Sequence, residues 1–266
     1  MTDMQKKTIL GVNVSATSYD EVLAACRGWI DQHRLTLPAR GRYVCVTSVH
    51  GIMTAVADPS FRDVLNGADV ATPDGMPLVW ALRSFGIASQ QRVYGPDLML
   101  AICQQAAQLG HRVYLYGGRP ETLVDLQCAL ETKMPGIELT GSHSPPFRPL
   151  TSEEDAAVVQ TIRSARPDIL FVGISTPKQE RWMRDHADRL PGMVMIGVGA
   201  AFDFHAGRVP QAPPWMQRSG LEWLFRLSTE PRRLWKRYLL VTPLFVPMWA
   251  MQWMGLLRYP PSGTQK

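Results

Sequence analysis

The chain has 266 residues, of which 45% are hydrophobic, and it carries a net charge of +5. This length suits one large α/β domain, or such a domain with an appendage, and it is enough to bury a sizeable core. The four cysteines are scattered without Cys-x-x-Cys or metal-ligand spacing, which argues against a disulfide framework and indicates a reduced cytosolic protein. The polar stretch 1–8 predicts no signal peptide.

The positive charge is concentrated at the carboxyl end. From Pro213 onward, eight basic side chains stand against two acidic ones, so the rest of the chain carries a net charge of −1. A general polyanion-binding protein would be basic throughout, and we therefore expect no nucleic-acid partner.

Predicted strands and helices alternate along the first 212 residues. Strands are predicted at 9–14, 42–48, 69–72, 111–116, 137–140, 169–174 and 193–198. Helices are predicted at 18–32, 50–65 with a break at Asp58-Pro59, 78–85, 98–109, 121–133, 151–165 and from residue 176 onward. The alternation is typical of βαβ units and predicts an α/β fold, a Rossmann-like and mainly parallel sheet flanked by helices.

The turn after the strand at 169–174 is the first candidate binding site. Thr176 has the residue type of an N-cap, Pro177 suits the first helical position, and Gln179 stands where a capping box has Glu or Gln. Free backbone N–H groups at a helix start favour an anion, and ligands of open α/β sheets bind beyond the carboxyl ends of strands. An ordinary strand-to-helix turn explains the pattern about equally well. The predicted binding residues here are Ser175, Thr176, Lys178 and Gln179.

Asp74 is the best candidate for a general base. It lies between Pro73 and Gly75, just past a predicted strand, on a turn that would present its carboxylate at the binding edge. The simpler alternative is a turn aspartate that caps the following helix. Thr47 and Ser48 end a neighbouring strand and have hydroxyls suited to sugar or phosphate oxygens, although many strands end in such residues.

The segment Gly197-Val198-Gly199-Ala200-Ala201-Phe202 resembles a dinucleotide-binding fingerprint but has Phe at the third glycine position. We interpret Gly197 and Gly199 as permitting close backbone approach to a ligand, and residues 203–205 as a structured turn. The histidines are dispersed and are more simply surface or core residues than metal ligands, so no metal site is predicted.

The composition changes after residue 212, which divides the chain into a predicted core, 1–212, and a carboxy-terminal appendage, 213–266. Five of the eight tryptophans lie in the appendage. The uncharged run 238–257 is about as long as a membrane-spanning helix, but Pro243, Pro247 and Gln252 interrupt it. The mixture of basic and apolar residues suits a helical segment lying at a membrane interface, and a terminal helix packed on the core is the alternative.

Several stretches together follow the order of one known family. They are Thr47 and residues 71–75 (Ala-Thr-Pro-Asp-Gly), 92–99 (Arg-Val-Tyr-Gly-Pro-Asp-Leu-Met), 116–118 (Tyr-Gly-Gly), 175–180, 197–203, 208–213 (Arg-Val-Pro-Gln-Ala-Pro), 220–227 (Gly-Leu-Glu-Trp-Leu-Phe-Arg-Leu) and 230–233. With these motifs, the chain resembles the WecG/TagA/CpsF glycosyltransferases of bacterial surface-polysaccharide synthesis, from about residue 9 to residue 237.

The resemblance implies an inverting transferase that takes a sugar from a UDP-sugar donor and needs no metal or other cofactor. Its acceptor would be a saccharide on a polyprenyl diphosphate at the cytoplasmic face of the membrane, so the protein would be cytoplasmic and peripherally attached to the inner membrane. The donor sugar is left open between N-acetylmannosamine, its uronic acid and glucose. A homo-oligomer is possible.

The resemblance also implies roles for single residues. Asp74 would be the general base and Thr47 a polar group of the same pocket, while Arg92 and Gln179 would hold the nucleotide sugar. The appendage would supply arginines to the site. The candidates are Arg226, Arg233 and Arg237, the last in competition with Lys236.

Two other classes of function remain open at this point. A non-catalytic nucleotide-sugar-binding subunit of a membrane polysaccharide synthase would keep the pocket and the appendage but would transfer no sugar. A nicotinamide-dependent oxidoreductase would share the sheet, although the altered glycine fingerprint counts against it.

Overall fold

A computed structural model describes residues 4–36 and 39–259. Its strands are β1 Lys6–Ile9, β2 Val12–Ser15, β3 Arg42–Thr47, β4 Val70–Pro73, β5 Arg112–Gly117, β6 Glu138–His143, β7 Ile169–Gly173 and β8 Val194–Gly197. Its α-helices are α1 Tyr19–Leu35, α2 Val49–Ala57, α3 Pro59–Asn66, α4 Met76–Ser84, α5 Gly95–Leu109, α6 Pro120–Lys133, α7 Ser152–Ala165, α8 Lys178–His186, α9 Ala201–His205, α10 Pro214–Arg218, α11 Glu222–Thr229, α12 Pro231–Trp235 and α13 Phe245–Trp253. A 3₁₀ turn at Ala187–Arg189, a π-helical segment at Lys236–Val241 and a 3₁₀ turn at Thr242–Leu244 complete the set.

The main sheet has six strands in the order β4-β3-β8-β7-β5-β6. The pairs β3–β8, β8–β7, β7–β5 and β5–β6 are all parallel. Strand β7 is hydrogen-bonded on both sides, and its residues Ile169 to Val172 are buried, as expected for a strand covered on both faces. Helices α1 and α8 contact β8, and α6 and α7 contact β6. The predicted α/β fold with a mainly parallel sheet flanked by helices is thereby confirmed.

The first predicted strand, 9–14, is wrong. The segment forms a separate antiparallel hairpin in which Ile9 pairs with Val12, and this hairpin does not join the main sheet. Leu10 and Gly11 form the two-residue turn with φ of 47° and 86°. Turns with positive φ at both central residues match the twist of paired strands, and glycine at the second position allows it. Because apolar residues flank the turn on both sides, the sequence pattern did not predict it.

The predicted helices are present, with shifted ends. The break in 50–65 falls at Asp58, which caps α3 through a bond from the Phe61 N–H to its carboxylate. Thr151 and Glu154 form the capping box predicted at the start of α7. Residues 203–205, predicted as a turn, belong to the short helix α9.

The chain divides into two compact units. The first contains Tyr19–Cys45 and Gly95–Pro210, and the second contains the described parts of Thr2–Ser18, Val46–Tyr94 and Gln211–Lys266. Each predicted site residue belongs to one of these two units. The predicted boundary between a core at 1–212 and an appendage at 213–266 stays a prediction.

Within the second unit, the appendage packs on the amino-terminal hairpin. The Gln252 amide accepts from the Leu10 N–H and donates to the Thr8 carbonyl, both at 2.8 Å. Phe245 is buried, and the Trp249 indole donates to the Ser84 hydroxyl at 3.1 Å. Across the described ranges, no helix has the length and apolarity required to cross a membrane.

Candidate active site

Asp74 lies at the carboxyl end of β4 within the second unit. Its backbone N–H donates to the Thr47 carbonyl at 2.9 Å, so the ends of β3 and β4 are adjacent. The N-cap residue of α4 is Gly75, which means that Asp74 does not have the simple N-capping role that the sequence left open. Its side chain is 22% exposed and lines a cavity. A carboxylate in this position is accessible to a ligand while most of its surface is shielded.

Arg92 connects Asp74 to the appendage. Its Nη2 lies 2.6 Å from Glu222 Oε2 and 3.6 Å from Asp74 Oδ1, and its Nε donates to the Asp74 carbonyl. The guanidinium carbon also lies 4.0 Å above the ring centroid of Tyr94. Burial alone would lower the pKa of Arg92, but Asp74 and Glu222 outweigh it and raise the pKa. Arg92 is therefore a permanently charged bridge between two carboxylates.

The cavity around Asp74 encloses about 610 Å³, a volume that includes space open to solvent. Three of the predicted binding arginines, Arg92, Arg226 and Arg237, line it together with Asp74. Ser48, whose hydroxyl the sequence analysis noted, also lines the cavity, whereas sequence reasoning missed several other lining residues: His50, Glu222, Trp223, Tyr238 and Thr242. Glu222 and Trp223 lie inside a family motif, which was the one signal that pointed to them.

Two predicted site residues of the second unit do not line this cavity. Thr47 is 3% exposed, and its backbone carbonyl accepts the hydrogen bond from the Asp74 N–H. Arg233 is exposed and pairs with Glu230 Oε2 at 2.6 Å, one helical turn away on the same surface. Their roles toward a substrate stay predictions.

Buried polar atoms gather on the wall of the cavity that contains Ser48 and Arg237. Arg237 Nη2 contacts Ser48 Oγ at 3.4 Å, and Ser48 is the N-cap of α2. Burial and the nearby Arg237 charge lower the pKa of His50 to about 4, so His50 is neutral at pH 7. Burial also lowers the pKa of Arg237. This wall combines a desolvated cation with neutral hydrogen-bonding groups.

The predicted helix cap after β7, in the first unit, is wrong. Helix α8 begins at Lys178 with Pro177 as its N-cap residue, and no side chain caps it. The Thr176 hydroxyl instead donates to Glu180 Oε1 at 2.7 Å. The carboxylate of Glu180 is buried in the first turn of α8. It accepts the hydrogen bond of the Thr176 hydroxyl, which the sequence pattern had assigned to capping the helix. Burial raises the pKa of Glu180.

Gln179 is almost completely buried and packs against the glycines that follow β8. A Cβ added to Gly197 would lie 3.0 Å from Gln179 Nε2 and 2.8 Å from Met183 Cε. The missing side chain of Gly197 therefore leaves room for the side chains of Gln179 and Met183 of α8. Lys178 and Ser175 are exposed. The roles of Ser175, Thr176, Lys178, Gln179, Gly197 and Gly199 toward a ligand stay predictions.

Several histidines have structural partners. His205 Nε2 contacts the Pro96 carbonyl at 2.9 Å, and His186 Nε2 contacts Asp155 Oδ1 at 2.9 Å. His186 also stacks on Trp182, whose ring stacks on Tyr116. In the part of the chain that the structure describes, no group of three or more His, Cys, Asp or Glu side chains is arranged to hold a metal ion.

Comparison with known proteins identifies the family of the chain. A curated relative from Bacillus subtilis (strain 168), an N-acetylglucosaminyldiphosphoundecaprenol N-acetyl-beta-D-mannosaminyltransferase, is 30% identical over 239 residues, 89% of this chain and 88% of the relative. A protein of the same description from Bacillus spizizenii is 30% identical over 200 residues, 75% of this chain and 76% of the relative. The sequence profile of the "Glycosyl transferase WecG/TagA/CpsF family" matches residues 7–259. The chain therefore belongs to the WecG/TagA/CpsF family of glycosyltransferases.

Proposed function

We propose that this enzyme transfers a sugar from a UDP-sugar to a hydroxyl of a saccharide carried on polyprenyl diphosphate. The observation that carries the proposal is the partly exposed Asp74 carboxylate in a cavity that is also lined by Arg92, Arg226 and Arg237. A carboxylate beside guanidinium groups provides a proton acceptor together with groups that bind diphosphate. The names of both Bacillus relatives describe an acceptor of this kind.

The reaction is a direct displacement at the anomeric carbon. The acceptor oxygen forms a bond to that carbon on the face opposite the departing UDP, which inverts the configuration. Asp74 takes the proton of the acceptor hydroxyl as the new bond forms. The electron pair of the broken bond leaves with UDP, and Arg226 stabilises the added negative charge.

Arg92 has a positioning role in this mechanism. Two of its nitrogens already contact Asp74 and Glu222, so its guanidinium is largely occupied by protein groups. It fixes the turn that holds Asp74 and balances the two carboxylates. Arg226 and Arg237 also line the cavity and are the candidates for direct contact with a substrate diphosphate.

N-acetylmannosamine is the first donor sugar to test, since both relatives are described as N-acetyl-beta-D-mannosaminyltransferases. Its uronic acid and glucose remain the other candidates. We further propose that the enzyme acts on the cytoplasmic face of the membrane and attaches peripherally through the appendage. Leu239, Leu240, Leu244 and Val246, each more than half exposed, would contact the lipid.

A transfer assay tests the proposal. The full chain is incubated with UDP-N-acetylmannosamine, UDP-N-acetylmannosaminuronic acid or UDP-glucose and a short prenyl diphosphate that carries N-acetylglucosamine, and the products are read by mass spectrometry. One of the donors is expected to add the mass of a single sugar to the lipid. Binding of a UDP-sugar without transfer to any acceptor of this class would instead favour the non-catalytic subunit.

A further inference from the structure

One wall of the Asp74 cavity contains three buried polar atoms that have no hydrogen-bond partner among the described residues. They are His50 Nδ1, Arg237 Nε and Thr242 Oγ1. All three residues line the same cavity. Leaving a buried polar atom unpaired is unfavourable, and more so when the group is charged. Three such atoms on one wall indicate a ligand that supplies their partners.

The charge on this wall identifies the class of ligand. Arg237 bonds to the neutral Ser48 hydroxyl, and within the described ranges it forms no ion pair with a carboxylate. Arg92 on the same cavity differs, because its Nη2 lies 2.6 Å from Glu222. A desolvated guanidinium without a carboxylate is unfavourable unless an anion completes it. The missing group is therefore an anion with several acceptor oxygens.

We propose that Ser48, His50, Arg237 and Thr242 form a subsite for a phosphate group of the prenyl diphosphate acceptor. This inference rests on the proposed function and specifies where the lipid substrate is held. Arg237 donates through Nε, Thr242 donates its hydroxyl proton, and His50 donates from Nδ1 in the tautomer that carries the proton there. His50 remains neutral, so Arg237 supplies the positive charge. His50 also lies in the first turn of α2, where the backbone N–H groups add a favourable potential for an anion.

The surroundings of the subsite favour the lipid substrate over the nucleotide. Arg237 and Thr242 belong to consecutive segments, Lys236–Val241 and Thr242–Leu244, that also present Leu239, Leu240 and Leu244 at the surface. An anionic head bound at Arg237 would have its apolar chain beside these exposed leucines. A nucleoside has no apolar chain to cover them. Covering exposed leucines with an apolar chain removes their surface from water, which favours binding.

Isothermal titration of the full chain tests the subsite with two probes, farnesyl diphosphate and UDP. The variants are Thr242→Val, which removes a hydroxyl and keeps the shape, and His50→Gln. Each variant is expected to weaken farnesyl diphosphate binding about tenfold or more, as the loss of a hydrogen bond to a charged group does, and to change UDP binding less than threefold. Thr229→Val is the matched control, because the Thr229 hydroxyl bonds to backbone carbonyls of its own helix and lies outside the cavity. It should bind both probes as the parent chain does.

The stability of Thr242→Val separates binding from folding. Its melting temperature should equal or exceed that of the parent, since an unpaired buried hydroxyl is removed. Unchanged farnesyl diphosphate binding in both variants, or an equal loss for UDP, would overturn the assignment. The transfer assay is independent of this result. If the parent enzyme transfers sugar but the variants bind farnesyl diphosphate as the parent does, only the subsite is rejected. If the variants bind farnesyl diphosphate more weakly but the parent transfers no sugar, only the proposed reaction is rejected.

Discussion

At the residue scale, the electrostatic environment of Asp74 depends on how Arg92 divides its contacts between Asp74 and Glu222. Its Nη2 lies 1 Å closer to Glu222 than to Asp74, at 2.6 Å against 3.6 Å. Glu222 therefore holds the guanidinium slightly away from the proposed base. A cation in full contact with Asp74 would stabilise its charged form and weaken it as a proton acceptor.

Glu222→Gln should make Asp74 a weaker base. Without the charge of Glu222, Arg92 is expected to move toward Asp74, so the acidic limb of the pH–rate profile should move to lower pH. The turnover at neutral pH should fall about three- to tenfold with little change in the KM for the donor. Glu131→Gln, at an exposed position of α6, is the control. A pH–rate profile that coincides with that of the parent would show that Glu222 does not act on the base.

His50 makes a predictable contribution to stability. Burial and Arg237 lower its folded-state pKa from 6.5 to about 4, so between these pH values the unfolded chain binds a proton that the folded chain does not. The stabilisation is complete above pH 6.5 and is lost as the pH falls toward 4. Urea unfolding at pH 7.5 and about pH 4.5 should show a larger loss for the parent than for His50→Gln, by about 2 kcal/mol. Equal losses would contradict the assigned environment of His50.

Sequence patterns located part of this site. Asp74 and Arg92 were found because they lie in short motifs, and four of the five charged lining residues belong to the motif stretches of the family resemblance. The links between Arg92 and Glu222, and between Ser48 and Arg237, join residues more than a hundred positions apart. No local pattern encodes such contacts, so the place of His50 in the site, and the pairing of Glu222 with Arg92, emerged only from the fold.

At the element scale, the first unit depends on close packing where its parallel strands end. Gly117 of β5 faces Gly173 of β7, and a Cβ on Gly117 would lie 2.5 Å from the Gly173 carbonyl group. The Gly117 φ of 125° is also unfavourable for other residues. Periodicity predicted both strands, because their apolar runs are continuous. Sequence periodicity did not predict the turns correctly. The β1–β2 hairpin was missed because its turn glycine lies inside an apolar run. The cap of α8 was wrong because the Thr176 hydroxyl, which was expected to cap the helix, bonds to Glu180 instead.

Gly117→Ala should therefore destabilise the protein strongly. The new methyl group would clash with backbone atoms that cannot rotate away, and we expect a loss of about 3 kcal/mol or more. Gly110→Ala is the matched control: its φ is 64°, but a Cβ there meets no atom within 4 Å. Strain alone should cost about 1 kcal/mol at that position. Similar melting temperatures for the two variants would show that the β5–β7 contact is not tight.

At the scale of the whole molecule, the appendage has a structural role as well as an exposed apolar surface. Composition identified its basic and apolar character, and it suggested either a membrane segment or a packed helix. In the structure, Phe245 and Gln252 are fixed within the second unit, whereas Leu240 and Leu244 are 57% and 54% exposed. Deleting residues 212–266 would therefore uncover the Gln252 contacts of the amino-terminal hairpin, and point substitutions give a cleaner test of membrane attachment.

The double variant Leu240→Glu, Leu244→Glu should lose membrane affinity without unfolding. Each leucine buried in lipid contributes up to about 2 kcal/mol, and two added negative charges oppose attachment to anionic lipid. Sedimentation with phosphatidylglycerol-containing vesicles should show at least tenfold weaker binding. Val124→Glu, at a position 64% exposed on α6, serves as the control. Vesicle binding equal to that of the parent would exclude this surface as the point of attachment.

The rate of sugar transfer by Asp74→Asn tests the central claim most directly. The substitution keeps the shape of the side chain and removes its ability to accept a proton. Turnover should fall by about a hundredfold or more, while UDP affinity and melting temperature stay close to those of the parent and of the exposed control Asp63→Asn. A variant that folds, binds UDP and transfers sugar at a near-parental rate would contradict the assignment of Asp74 as the general base.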